Sequence, residues 1–145
     1  MPMCRKGFTL IEVMLVVAVV GVLSMVLVPQ FANLVRKANE ATTKGNLASL
    51  RGALAMYYGD RDRYPTDDLT SLVSGKFIKA VPRAYVEPWH HPNNQVSAGN
   101  SATLLASDAN QHAWFYYSDP NDPRFGTLLV NCIHTDLKGT VWTTY

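Results

Sequence analysis

An apolar stretch near the N-terminus constrains this chain more than any other feature. Residues 8–28 are large and apolar, or alanine, at every position except Thr9, Glu12, Gly21 and Ser24. A helix of these 21 residues is long enough to cross the core of a bilayer. The stretch is unusual in two ways, because it contains a carboxylate and because it directly follows a basic pair and a glycine. Any fold must place this stretch in an apolar environment.

Two general interpretations account for the stretch incompletely. A cleavable secretory signal has an apolar region of about 7–15 residues and a small-residue cleavage site, whereas this run is longer and residues 26–30 offer no such site. A single-pass membrane anchor accounts for the length but not for Glu12, because a carboxylate at the centre of a spanning helix costs about 2.5–3.5 kcal/mol. Glu12 lies one turn from the start of the stretch, where it can reach the interface at a lower cost.

A third interpretation uses both unusual features. Residues 6–12, with the sequence KGFTLIE, resemble the processing signature of the type IV pilin superfamily, which includes type IV prepilins and the pseudopilins of type II secretion. The resemblance covers the basic leader, a glycine before a phenylalanine and a glutamate as the fifth mature residue, and it continues to Gly21 and Pro29. It implies cleavage between Gly7 and Phe8 by prepilin peptidase, followed by N-methylation of Phe8.

The resemblance also implies a role for Glu12 in assembly. Cleavage creates a positively charged amine at Phe8, and the N-terminus of a helix adds about half a positive charge. In a filament, Glu12 would meet the Phe8 amine of a neighbouring subunit inside an apolar core. Low dielectric strengthens that attraction and makes the loss of either partner costly. Glu12 and Phe8 are therefore the predicted assembly residues, and their pairing would set the axial register of the subunits.

The apolar stretch is expected to be the first part of a long helix. Residues 29–58 continue a helical pattern, in which one face carries Leu47, Leu50, Leu54 and Tyr57. At about 1.5 Å per residue a helix over 8–58 would be roughly 76 Å long, so its first half is expected to lie in a membrane or among other subunits.

Two residues mark the place where this helix is expected to loosen. Pro29 removes one backbone hydrogen bond and clashes with the preceding turn, and Gly21 lies upstream of it. The resemblance implies that the segment from Gly21 to Pro29 loosens on filament assembly. A simple kink in a membrane helix is the alternative.

The remaining residues predict a small head with a sheet. Residues 113–118, 127–133 and 140–144 have the composition of strands and are separated by turn-forming residues, which predicts an antiparallel meander packed on the helix. The predicted fold class is α+β, with a long N-terminal α-helix on a C-terminal antiparallel sheet of about three strands. A leader peptide is expected at residues 1–7 and a transmembrane or filament-core helix at residues 8–28. An amphipathic continuation of the helix is expected at residues 29–58 and a globular head at residues 59–145.

The head also contains two elements that bear on the kind of pilin. Tyr64-Pro65, just after the helix, resembles pseudopilins and related small pilins. Residues 87–89 resemble a proline–tryptophan element of major pseudopilins, but His90 follows in place of the usual glycine. This substitution favours a pseudopilin-like or small pilin subunit over a major pseudopilin.

No metal site is predicted from the histidines and cysteines. The side chains of the adjacent pair His90 and His91 would point apart in a strand. Cys132 and His134 would share one face of a strand, but two ligands do not make a zinc site. The sequence therefore predicts no transition-metal ligands.

A calcium site is an alternative that the sequence supports weakly. Asp119, Asn121 and Asp122 lie in one loop, whereas calcium needs about 6–8 oxygen ligands. Major pseudopilins hold calcium, but their surrounding pattern is absent here. A turn formed by aspartate and proline accounts for these residues better, and no cofactor is expected.

Charge and motifs argue against nucleic-acid binding and catalysis. The net charge is +2, and Arg5 and Lys6 account for it, so no basic patch for nucleic acid is visible. No nucleotide-binding loop, serine elbow or supported carboxylate pair occurs. An enzyme is not predicted.

The prediction is a structural subunit of a type IV pilin-like filament, namely a pseudopilin-like or small pilin subunit of a type II secretion or type IV pilus machinery. Its expected partners are copies of itself, related pilins, prepilin peptidase, an inner-membrane assembly platform and, before assembly, membrane lipid. It would span the inner membrane once with its N-terminus in the cytoplasm, and then join a periplasmic or cell-surface filament. The alternative is a single-pass membrane-anchored binding protein that never polymerises.

Overall fold

A computed structural model describes residues 7–86, 88–100 and 113–145. Glu87, the first residue of the proline–tryptophan element, lies outside these ranges. Helix α1 spans Leu10–Arg61 and helix α2 spans Thr70–Ser74. Strand β1 spans Val96–Gly99, β2 spans Trp114–Tyr117 and β3 spans Leu128–Val130. A 3-10 helix follows at Trp142–Thr144. The chain divides into two compact units, Met1–Arg36 and Lys37–Tyr145.

In the first unit, α1 is helical without interruption. The helix begins at Leu10 and continues through Gly21 and Pro29. The hydroxyl of Ser24 donates a 2.8 Å hydrogen bond to the carbonyl of Val20, one turn earlier, so this polar side chain is satisfied within the helix. The loosening expected between Gly21 and Pro29 stays a prediction for the assembled filament.

In the second unit, α1 carries the apolar face that the sequence predicts. Leu47, Leu50, Leu54 and Tyr57 are all buried in the main core cluster. Burial of one such side chain contributes about 1.5–3 kcal/mol relative to leaving it exposed. This face of the helix is therefore the platform on which the head is built.

Strand β2 lies in the middle of a three-stranded sheet with the order β1-β2-β3. Its four residues are aromatic and completely buried. Trp114 and Tyr116 belong to the main core, whereas Phe115 and Tyr117 form a second cluster with Leu129 on the other face, because successive side chains in a strand point to opposite faces. Both faces of β2 are thus covered.

The α+β class, the long helix and a three-stranded sheet are confirmed, but the antiparallel meander is wrong. β2 and β3 pair antiparallel, with Phe115 opposite Leu129, whereas β1 pairs parallel to β2, with Ser97 opposite Phe115. The third strand thus comes from Val96–Gly99, where the sequence predicted no strand. Residues 101–112, which link β1 to β2, lie outside the described part of the chain.

The predicted strand at residues 140–144 is a short 3-10 helix instead. The N–H of Trp142 donates to the carbonyl of His134, and Thr135 and Val141 form an isolated bridge. Trp142 is buried in the main core. The segment therefore buries a large aromatic ring in the core without joining the sheet.

Candidate functional site

The N-terminal part of α1 exposes apolar side chains all around the helix. In residues 8–28 every large apolar side chain is at least half exposed, and Phe8 and Met25 are the most exposed at 83% each. A helix that is apolar on all sides requires lipid or protein around it. This helix is long and apolar enough to cross a membrane. The surface is therefore a site of contact in its own right.

The first turn of α1 is closed by a reciprocal cap. The Thr9 hydroxyl accepts a 3.3 Å hydrogen bond from the Glu12 N–H, and the Glu12 Oε2 accepts 2.9 Å bonds from both the N–H and the hydroxyl of Thr9. This is the capping box, which satisfies two backbone donors at a helix start. Sequence reasoning missed it, although the spacing Thr-x-x-Glu before an apolar run signals it directly.

The predicted processing residues lie just before this cap. Gly7 and Phe8 are exposed and precede the helix, and among the described residues other than its chain neighbours no atom lies within 4 Å of the position that a Cβ of Gly7 would occupy. Glu12 and Phe8 lie on the same exposed segment. The structure pairs Glu12 with Thr9 of its own chain, and the predicted contact with a neighbouring subunit is a property of an assembly.

In the second unit, polar side chains of α1 bind the C-terminal segment. The Lys44 ammonium donates 2.7 Å hydrogen bonds to the Asp136 carboxylate and to the Tyr145 hydroxyl, which itself donates to Asp136 at 2.6 Å. Arg51 donates to the carbonyls of Leu128 and Tyr145. These bonds fasten the end of the chain to the helix, and sequence reasoning gave no signal for them, since the partners are far apart in sequence.

Asp136 carries a buried charge that this network stabilises. Burial opposes its ionisation, but hydrogen bonds from Lys44, Tyr145 and the N–H groups of Thr140 and Lys138 outweigh burial. Together they hold the pKa of the Asp136 carboxyl well below its usual range. The carboxylate is therefore a structural anion at neutral pH.

The loop considered for calcium forms turns. The Asp119 carboxylate accepts hydrogen bonds from the Asn121 N–H at 2.9 Å and from the Asn100 amide at 3.3 Å, and these bonds lower its pKa. The Asp122 carboxylate accepts from the N–H of Arg124 at 2.9 Å. The two carboxylates thus stabilise the turns in which they lie, as the sequence predicts for turn-forming aspartates.

Three potential metal ligands come together elsewhere in the head. One ligand atom from each of His90, Cys132 and His134 lies within 4.8 Å of the other two. The sequence placed Cys132 and His134 on one face, and the structure adds His90 from a distant segment. Sequence reasoning missed this third member because it depends on the packing of a loop, which carries no periodic pattern.

Comparison with known proteins adds independent information. Residues 2–28 match the family described as the prokaryotic N-terminal methylation motif. The chain is 33% identical over 107 residues to type II secretion system core protein G of Aeromonas hydrophila. This alignment covers 66% of this chain and 75% of the relative. It is 33% identical over 114 residues to core protein G of Vibrio cholerae, in an alignment that covers 69% of this chain and 76% of that relative.

A further relative has a different name. The chain is 31% identical over 81 residues to fimbrial protein EcpC of Eikenella corrodens, an alignment that covers 53% of each sequence. No solved structure gives a significant match.

Proposed function

We propose that this chain is a pseudopilin. The premise is that it belongs to the family of type II secretion system core protein G. In this proposal it is a structural subunit and not an enzyme. It polymerises through the N-terminal part of α1 into a short filament that serves protein secretion.

One observation carries the proposal: the prepilin-type motif matched at residues 2–28 extends into α1, whose apolar side chains before residue 29 are exposed on every side. A membrane anchor needs that apolar surface, but it needs neither Gly7-Phe8 nor Glu12. A filament subunit uses all three. The similarity to core protein G extends beyond the motif, since its alignments cover about two thirds of the chain.

The physical sequence of events follows from these features. Before assembly, lipid covers residues 8–28, with the leader residues 1–7 in the cytoplasm and the head outside. Prepilin peptidase cuts after Gly7, where the lack of a side chain leaves the backbone accessible, and the new amine of Phe8 is methylated. On assembly at an inner-membrane platform, α1 exchanges lipid for the helices of other subunits.

Glu12 directs that exchange in our proposal. Entry of its carboxylate into a helical bundle is costly unless a positive group meets it. The Phe8 amine of a neighbouring subunit supplies that group and fixes how far one subunit rises along the filament relative to the next. Gly21 and Pro29 allow α1 to loosen while the subunits pack.

Deletion of the gene, followed by two assays, tests the proposal. Loss of secreted enzymes with surface pili retained is the expected result. Mass spectrometry of the mature chain is expected to find a methylated Phe8 at its N-terminus. An uncleaved, functional chain would identify a membrane-anchored binding protein that never polymerises.

The match to a fimbrial protein favours one second candidate, a subunit of a type IV pilus. In that case the deletion removes surface pili and leaves secretion intact. The two outcomes of the same deletion therefore separate the pseudopilin from the pilus subunit.

A further inference from the structure

We propose that His90, Cys132 and His134 form a binding site for a zinc ion in the head. The three ligand atoms lie within 4.8 Å of one another, and the Cys132 Sγ lies 3.3 Å from the His134 Nδ1. None of its ligands lies in residues 8–28, so a negative result for zinc binding would leave the proposed role in secretion unaffected.

The distances are close to those that a tetrahedral zinc ion requires. With Zn–S of about 2.3 Å and Zn–N of about 2.0–2.1 Å, sulfur and nitrogen ligands lie roughly 3.6 Å apart and two nitrogens roughly 3.3 Å apart. The Cys132–His134 pair already meets this spacing. His90 and His134 are half-buried, and a rotation of the His90 ring would bring its nitrogen to the same spacing.

The backbone holds both segments in place. On one side, the N–H groups of Trp89 and His90 both donate 3.1 Å hydrogen bonds to the carbonyl of Val86. On the other, the N–H of Cys132 donates to Val130, the last residue of β3, and the carbonyl of His134 accepts from Trp142. The ligands are therefore mounted on the edge of the sheet and on a tight turn, which preorganises the site.

Trp89 acts as a positioning residue. Its ring stacks on the His134 imidazole with a centroid distance of 4.3 Å and an interplanar angle of 7°. The imidazole plane is thus fixed with its Nδ1 toward the Cys132 sulfur. A ring held in this way loses little conformational freedom when it binds a metal.

The donor set favours a transition metal over calcium or magnesium, and we assign zinc. One thiolate and two imidazoles suit zinc, whereas calcium and magnesium prefer oxygen ligands. Zinc displaces the proton of the Cys132 thiol to solvent and binds the thiolate, while both imidazoles bind as neutral bases. Three protein ligands leave a fourth position, which water fills in the isolated subunit. The bound ion would cross-link the turn at residues 88–90 to the segment that follows β3.

The test uses the full chain, purified in detergent micelles and freed of metal. Zinc titration against a chromophoric chelator is expected to show one ion bound per chain and a rise in Tm. Cobalt in place of zinc is expected to give a sulfur-to-metal charge-transfer band and the visible bands of a tetrahedral ion. The variants His90→Ala, His134→Ala and Cys132→Ser should each weaken zinc binding by more than the roughly 10–100-fold that loss of an outer partner costs.

His91→Ala is the matched control, because His91 adjoins His90, is exposed and lies outside the cluster. It is expected to bind zinc as the unchanged chain does. Equal binding by His90→Ala and His91→Ala, a cobalt spectrum without the charge-transfer band, or binding of copper but not zinc would each overturn the proposal. If the buried Cys132 does not tolerate substitution, the His90→Ala comparison and the cobalt spectrum of the unchanged chain still decide the question.

Discussion

Thr9 and Glu12 cap the start of the long helix reciprocally, through a 2.9 Å hydrogen bond from the Thr9 hydroxyl to Glu12 Oε2 and a 3.3 Å bond from the Glu12 N–H to the Thr9 hydroxyl. Glu12 therefore has a local structural role in addition to the assembly role that we propose. The two roles require different chemistry, because the cap needs an acceptor oxygen and the contact between subunits needs a negative charge.

Glu12→Gln separates the two roles. Glutamine also serves in a capping box, so the helix start is expected to survive while the charge is lost. Removal of one partner of a buried ion pair costs about 3–5 kcal/mol, and filament yield is therefore expected to fall by more than about tenfold. Sedimentation of sheared filaments measures the yield, and mass spectrometry checks that cleavage after Gly7 is unchanged.

Thr9→Val is the matched control for Glu12→Gln. It removes the hydroxyl of the cap, at a cost of about 0.5–2 kcal/mol, and keeps the carboxylate. Assembly is expected to stay close to that of the unchanged chain. If Thr9→Val blocks assembly as strongly as Glu12→Gln, the cap and not the charge is what assembly requires.

Truncation of two leucines on α1 is expected to change the free energy of unfolding by very different amounts. Leu50 is completely buried, so Leu50→Ala is expected to destabilise the head by about 2–5 kcal/mol. Leu34 is 60% exposed, and Leu34→Ala is expected to change the stability of the isolated chain by no more than about 0.5 kcal/mol. Denaturant unfolding in micelles measures both. A large loss of stability in Leu34→Ala would show that this face is already packed in the monomer.

The helical part of the fold was predictable from the sequence because helical order is local. The stripe of Leu47, Leu50, Leu54 and Tyr57 repeats with the helical period and is buried as expected. The strand at Trp114–Tyr117 was likewise predictable from its consecutive aromatic residues, although the covering of its second face was not predicted. In both cases the pattern within a few residues carries the information.

The order of the sheet was not predictable in this way. β1 has the sequence Val-Ser-Ala-Gly and pairs parallel to β2. Such a strand is held by the backbone bonds of its neighbour and has little pattern of its own. Asp136, Lys44 and His90 were missed for a related reason, since each acquires its partners through tertiary packing.

Gly126 is expected to tolerate no side chain. Its φ is +84°, and an added Cβ would lie 2.5 Å from the ring of Tyr64. Gly139 has a similar φ of +81°, but its Cβ position has no atom within 4 Å from the described part of the chain beyond its two neighbours. Gly139→Ala therefore measures backbone strain, about 1–2 kcal/mol, and Gly126→Ala is expected to cost clearly more by displacing Tyr64. Thermal unfolding compares the two, and equal Tm losses would contradict a close contact at Tyr64.

Lys44 and Asp136 lead to a prediction about pH. In the folded chain the pKa of Asp136 is lowered, since hydrogen bonds from Lys44, Tyr145 and backbone N–H groups outweigh its burial. An aspartate in the unfolded chain has a pKa of about 3.9. Below that pH the unfolded chain binds a proton that the folded chain does not. The stabilisation by Asp136 is therefore complete above about pH 4 and is lost as the pH falls toward the folded-state pKa.

Denaturant unfolding between about pH 6 and pH 3 tests this linkage. Asp136→Asn is expected to cost about 1.5–3 kcal/mol at pH 6, the range for hydrogen bonds to charged groups, and to flatten the loss of stability on acidification. Asp119→Asn is the control, because hydrogen bonds from Asn121 and Asn100 also lower the pKa of Asp119, although its carboxylate lies in a partly exposed turn. It is expected to change the profile less, since solvent already screens that charge. If Asp136→Asn retains the full acid sensitivity of the unchanged chain, the buried carboxylate is not its source.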